Sequence, residues 1–175
     1  MHARESLFIL IRYVLVLALA LGNLAVIYAI FTPLTVFPVY WVLHAMYNAQ
    51  YLIGNIIHFK GYYAEIISAC VAGAAYYFLI LLNMSTPMSF KKRIYSLVFL
   101  LGSFLVLNIL RILIFARVLF VGYAYFDLVH EITWYIGSTV LVVAIWFVNV
   151  YLFRIEDIPV YTDFKAFIAD IRRGK

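Results

Sequence analysis

Charge is what this sequence has least of. Only 12% of its 175 residues are Asp, Glu, Lys or Arg, while 67% are hydrophobic and the mean hydropathy is +1.04. A soluble domain of this size needs a polar shell, and this composition cannot supply one. The single cysteine excludes an intrachain disulfide and a zinc site built on cysteines alone. There is no internal repeat, no low-complexity tract and no sign of nucleic-acid binding. The net charge of +5 comes from basic residues set beside apolar runs, where they fix orientation in a membrane. Gly-x-Ser-x-Gly and His-Glu-x-x-His patterns are also absent, which argues against serine hydrolases and zinc peptidases.

What the sequence has is apolar runs. They predict an all-α integral membrane protein, a single domain over 1–175 built as a small bundle of four to five transmembrane helices. The first run, 7–31, reads as a retained anchor. Its part from Tyr13 to Phe31 alone makes about 28 Å of helix at about 1.5 Å per residue, and Thr32-Pro33 is expected to end it. Residues 34–65 read as an outer interfacial segment, with a helix from about Pro38 to Ile53 whose aromatic residues suit headgroup depth. Gly54-Asn55 should break that helix, and Ile56 to Ile67, with Lys60-Gly61 in the middle, has the character of a hairpin. Spans are expected at 66–84, 94–118 and 131–153, followed by a cytoplasmic tail, 154–175.

Orientation follows from the basic residues. With the amino terminus, the Lys91–Arg93 loop and the tail inside, ten of the thirteen Lys and Arg lie on the cytoplasmic side, leaving Lys60, Arg111 and Arg117. If 34–57 spans instead, the amino terminus moves outside. The outer ends of the later spans stay where they are.

Three polar residues stand out near those outer ends: Cys70, Arg111 and His130. A guanidinium within a span costs at least about 2.5–3.5 kcal/mol, so Arg111 needs a partner. Asn108 lies one turn earlier on the same face, so the two project together into the bundle, where an arginine can donate to a carbonyl or oxyanion. A cysteine in the first turn of a helix has its thiolate stabilised by free backbone N–H groups and the helix dipole. Gly73 shares the Cys70 face and lets another helix approach closely. His130 suits general acid and base work, with Asp127 or Glu131 to orient it, and Glu65 is a further acidic candidate near the thiol. The bland alternatives are a cysteine used for packing, an arginine snorkelling to the headgroups and a histidine at a wet boundary.

Ala69-Cys70-Val71-Ala72-Gly73, Asn108-Ile109-Leu110-Arg111-Ile112 and His130, in this order, resemble the core of the exosortase and archaeosortase family. The short length is similar to that of its reduced archaeal members, the pacearchaeosortases. The likeness runs from about Leu43 to Trp146. It implies a cell-membrane cysteine protease and transpeptidase acting at the extracytoplasmic face. Its substrates would be secreted proteins with a carboxy-terminal sorting signal: a short motif, a hydrophobic helix and a basic cluster. On matching positions it implies Cys70 as nucleophile, Arg111 as stabiliser of the tetrahedral intermediate and His130 as proton donor and acceptor. No cofactor or metal is implied, and a membrane-lipid amine is one acceptor for the acyl group. The chain departs from the family's Cys-Ser-Gly or Cys-Thr-Gly, because Cys-Val-Ala-Gly displaces the glycine by one residue and lacks the hydroxyl.

Two readings from other classes remain. One is a non-enzymatic membrane scaffold whose polar residues hold a partner helix. The other is a haem-binding membrane subunit, raised by His44 and His58, fourteen residues apart, with His130 to complete the ligation.

Overall fold

A computed structural model describes residues 10–14, 17–18, 20–22, 24–121 and 131–155. Residues 10–14, 17–18 and 20–21 are helical. Helix α1 is Ala25–Tyr47, and strands β1 (Gln50–Leu52), β2 (Ile56–Phe59) and β3 (Tyr62–Glu65) follow it. A one-turn helix α2 (Ser68–Val71) leads into α3 (Gly73–Ser85), then α4 (Phe90–Val121). A π-helical turn, Thr133–Gly137, opens α5 (Ser138–Leu152). Residues 122–130, with Asp127 and His130 among them, and the tail beyond Ile155 lie outside the described residues.

Three helical stretches, Ala25–Tyr47, Ser68–Ser85 and Phe90–Leu119, are long and apolar enough to cross a bilayer, and the shorter Ser138–Leu152 is apolar too. Much of their surface faces outward, including Ile114, Phe147 and Tyr151. So much exposed apolar surface would drive aggregation in water, whereas lipid solvates it at no cost. The helices pack around α4, which touches α1, α3 and α5. Tyr76 on α3 is fully buried at the centre. It stacks on Phe31 of α1 at 3.7 Å and meets Phe104 of α4 edge-on at 4.8 Å.

The first third of the chain corrects the sequence expectation. The predicted 7–31 helix is interrupted by turns at Gly22 and at Leu24, which takes φ 57°. Thr32-Pro33 ends nothing, because α1 runs through both Pro33 and Pro38. Each proline removes one N–H from the ladder, but in an apolar surrounding any non-helical path would strand more backbone groups. The expected interfacial helix from Pro38 to Ile53 is therefore the second half of α1. It stops at Tyr47, where Asn48 turns left-handed at φ 52° and its N–H bonds the His44 carbonyl. His44 Nδ1 then donates to the Ala49 carbonyl at 2.7 Å, fixing the exit.

The expected hairpin is present, and it belongs to a three-stranded antiparallel sheet in the order β1-β2-β3. Lys60 (φ 50°) and Gly61 (φ 86°) form its two-residue loop. Positive φ at both positions is the geometry whose twist matches the flanking strands. Ile57 and Phe59 are buried, and Phe59 stacks on Tyr47 at the end of α1. The sheet thus caps one end of the bundle, and β3 leads straight to α2. At the opposite end Arg93 donates to the carbonyls of Asn83, Met84 and Thr86, where α3 stops. Asn83, Ser96 and Asn149, all 0% exposed, bond in series from α3 through α4 to α5. Later in the chain, residues 131–152 are helical throughout and α4 contains the expected 94–118 stretch, while the expected 66–84 helix begins at Ser68 and is broken at Ala72.

Candidate functional site

The sequence places Cys70 at the start of a long helix, and the structure differs in one detail. Cys70 sits in the single turn of α2, which ends at Ala72 with φ 59° before α3 begins at Gly73. That left-handed residue interrupts the helical ladder, so the carbonyls of Cys70 and Val71 need other donors. Asn108 supplies them. Its Nδ2 donates to the Cys70 carbonyl at 2.9 Å and the Val71 carbonyl at 3.4 Å, from a fully buried position on α4. The helix-dipole argument for the thiolate loses weight here, because one turn carries only a small dipole.

Arg111, one turn beyond Asn108, bonds the Ser138 hydroxyl and also reaches the Cys70 carbonyl at 3.5 Å. These two contacts offset the cost of a guanidinium on an apolar helix, which the sequence required but could not specify. Ser138 is the residue that sequence reasoning missed. Its signal was a hydroxyl at the head of an apolar run, paired with an arginine needing an acceptor. The π-turn just before it places one extra residue in the helix, which shifts the register of the residues behind it relative to Ser138.

A cavity of about 190 Å³ opens beside the cysteine. Its walls are apolar, formed by residues such as Val39, Leu43, Ile57 and Phe115, and among the described residues its polar contributors are Cys70, Arg111 and Glu65. The thiol is free and half-buried. Gly73 does not line this cavity. A Cβ there would come within 2.6 Å of the Tyr28 ring, so the glycine admits a side chain of α1. Glu131 is exposed at the head of the last helical stretch. Of the expected constellation, Cys70, Arg111, Asn108 and Glu65 come together, while His130 and Asp127 lie outside the described residues.

His44 and His58 do not share a helix: His44 is on α1, and His58 is on β2, stacked on Tyr63. The fourteen-residue spacing therefore does not place the two imidazoles on one helix. Comparison with protein-family models, with curated proteins and with solved structures finds no match for this chain.

Proposed function

We propose that this chain is a membrane cysteine peptidase and transpeptidase of the exosortase and archaeosortase type. It would cleave carboxy-terminal sorting signals of secreted proteins at the extracytoplasmic face. The observation that carries the reading is the meeting of a free thiol and an arginine from a helix long and apolar enough to span a membrane on one apolar cavity, with a buried asparagine holding the backbone of the cysteine. A second observation bears on the resemblance. The family pattern has glycine two residues after the cysteine, and here Ala72 occupies that position with the left-handed backbone that glycine adopts most readily.

The Cys70 thiolate attacks a peptide carbonyl carbon, and Arg111 with nearby backbone N–H groups holds the oxyanion that develops. The C–N bond then breaks, and His130 gives its proton to the leaving amine. The acyl group remains as a thioester on Sγ. Water, or a lipid amine, attacks it and returns the thiol. Orientation follows from charge: with Lys91–Arg93 inside, the sheet and Cys70 face outward, because they lie at the other end of α3. This holds for either side of the amino terminus.

The test uses secreted chains bearing a hydrophobic carboxy-terminal helix and basic cluster, co-expressed with wild type, Cys70→Ser or Arg111→Ala. Processing that needs both residues, with a hydroxylamine-sensitive adduct on Cys70 and labelling by an impermeant thiol reagent from outside, is the expected result. A silent Cys70→Ser with an Arg111→Ala that disrupts assembly would replace this reading with the scaffold.

A further inference from the structure

Strand β3 ends the sheet, and among the described residues no strand pairs with its other edge. Register decides which of its backbone groups face that way. Phe59 and Tyr62 flank the two-residue loop and exchange both hydrogen bonds, and pairs alternate from there. Tyr62 and Ala64 therefore turn their N–H and C=O groups toward β2, and Tyr63 and Glu65 turn theirs away. The next residue in the series agrees, since the Ile66 N–H donates inward to the Asn55 carbonyl at 3.1 Å. Tyr63 is 70% exposed, and the strand carries no proline, lysine or bulge of the kind that blunts an edge.

This edge differs from that of β1 in where it leads. Ala64, Glu65 and Ile66 line the same cavity as Cys70 and Arg111, whereas no residue of β1 does. An extended chain laid along β3 would thus run directly onto the thiol. Peptide bonds are attacked most readily when the chain around them is extended, with every other side chain available to a pocket. A substrate whose hydrophobic helix lies in the bilayer has such a segment just before it.

We infer that β3 is the docking strand for the substrate: the segment preceding the scissile bond adds to the sheet through the outward backbone groups of Tyr63 and Glu65, and one of its side chains enters the cavity beside Cys70. This rests on the peptidase reading. Recognition then comes from main-chain hydrogen bonds, with specificity supplied by the apolar cavity. A bulky apolar residue is the expected occupant of that cavity.

The probe is a library of single-pass reporters in which a randomised short stretch precedes a hydrophobic helix and a basic tail, co-expressed with wild-type enzyme, Cys70→Ser and Tyr63→Pro. In reporters cut only with Cys70 present, proline should be excluded at alternate positions before the cut and tolerated between them. Tyr63→Pro removes an N–H that β2 does not use. It should lower processing about fivefold or more, the worth of one backbone hydrogen bond, while the Cys70 thiol labels at the wild-type rate. The reporter-side proline pattern tests the same bonds with the enzyme unaltered. Cys70-dependent cutting with no alternation and a neutral Tyr63→Pro would overturn the docking strand and leave the peptidase standing. No Cys70-dependent cutting of any reporter would overturn both.

Discussion

Ala72→Gly should stabilise the protein, although it replaces a good helix former with a poor one inside a helical stretch. Ala72 holds φ 59° and ψ 47°, a conformation that costs an L-residue about 1–2 kcal/mol because its Cβ crowds the following carbonyl. Glycine is free of that cost, but it widens the unfolded ensemble by about 0.4–1 kcal/mol. The difference is a gain of about 0.5–1 kcal/mol, or a rise in midpoint of about 2–4 °C per kcal/mol for a chain of this length. Ala69→Gly, three residues earlier in ordinary helix, is the matched comparison and should lose about 0.5–1 kcal/mol. Thermal unfolding of both variants in the same detergent reads the two signs. Equal shifts in the same direction would refute the left-handed turn after the cysteine, and with it the need for Asn108 to serve the freed carbonyls.

Asn108→Asp exchanges the donor facing the Cys70 and Val71 carbonyls for an acceptor, and should cost about 1–3 kcal/mol and speed alkylation of Cys70 as its turn loosens. Unchanged labelling kinetics in the aspartate variant would show that the amide does not hold this turn. At the other end of the bundle, Arg93→Met strands three carbonyls at the end of α3 and should cost at least about 3 kcal/mol. Arg93→Lys should recover part of the loss, because an ammonium lacks the planar fork. Equal melting of wild type and Arg93→Met would refute the role assigned to that arginine.

The parts of the fold that the sequence revealed are those with local causes. Lys60-Gly61 could be read as a hairpin because the loop's backbone demands are met by the residues in it. Asn108 and Arg111 could be read as partners because helical spacing puts them on one face, and both do reach the Cys70 carbonyl. Pro33 and Pro38 misled because their local cost is outweighed in lipid by the cost of breaking the ladder further. Ser138 and the Arg93 contacts stayed hidden because their partners are distant in sequence, and only the packing of α3, α4 and α5 brings them together. The left-handed turn at Ala72 was hidden as well, since an alanine there reads as ordinary helix.

The serial bonds from Asn83 to Ser96 to Asn149 carry a consequence for how this sequence can drift. Each member is sealed from solvent, so an apolar replacement of one strands the next without water to take its place. Any mutational path away from the trio passes through a less stable intermediate. Descendants of a common ancestor should therefore keep all three residues or exchange all three, and lineages holding only one or two should be short-lived or carry a new polar partner on a facing helix.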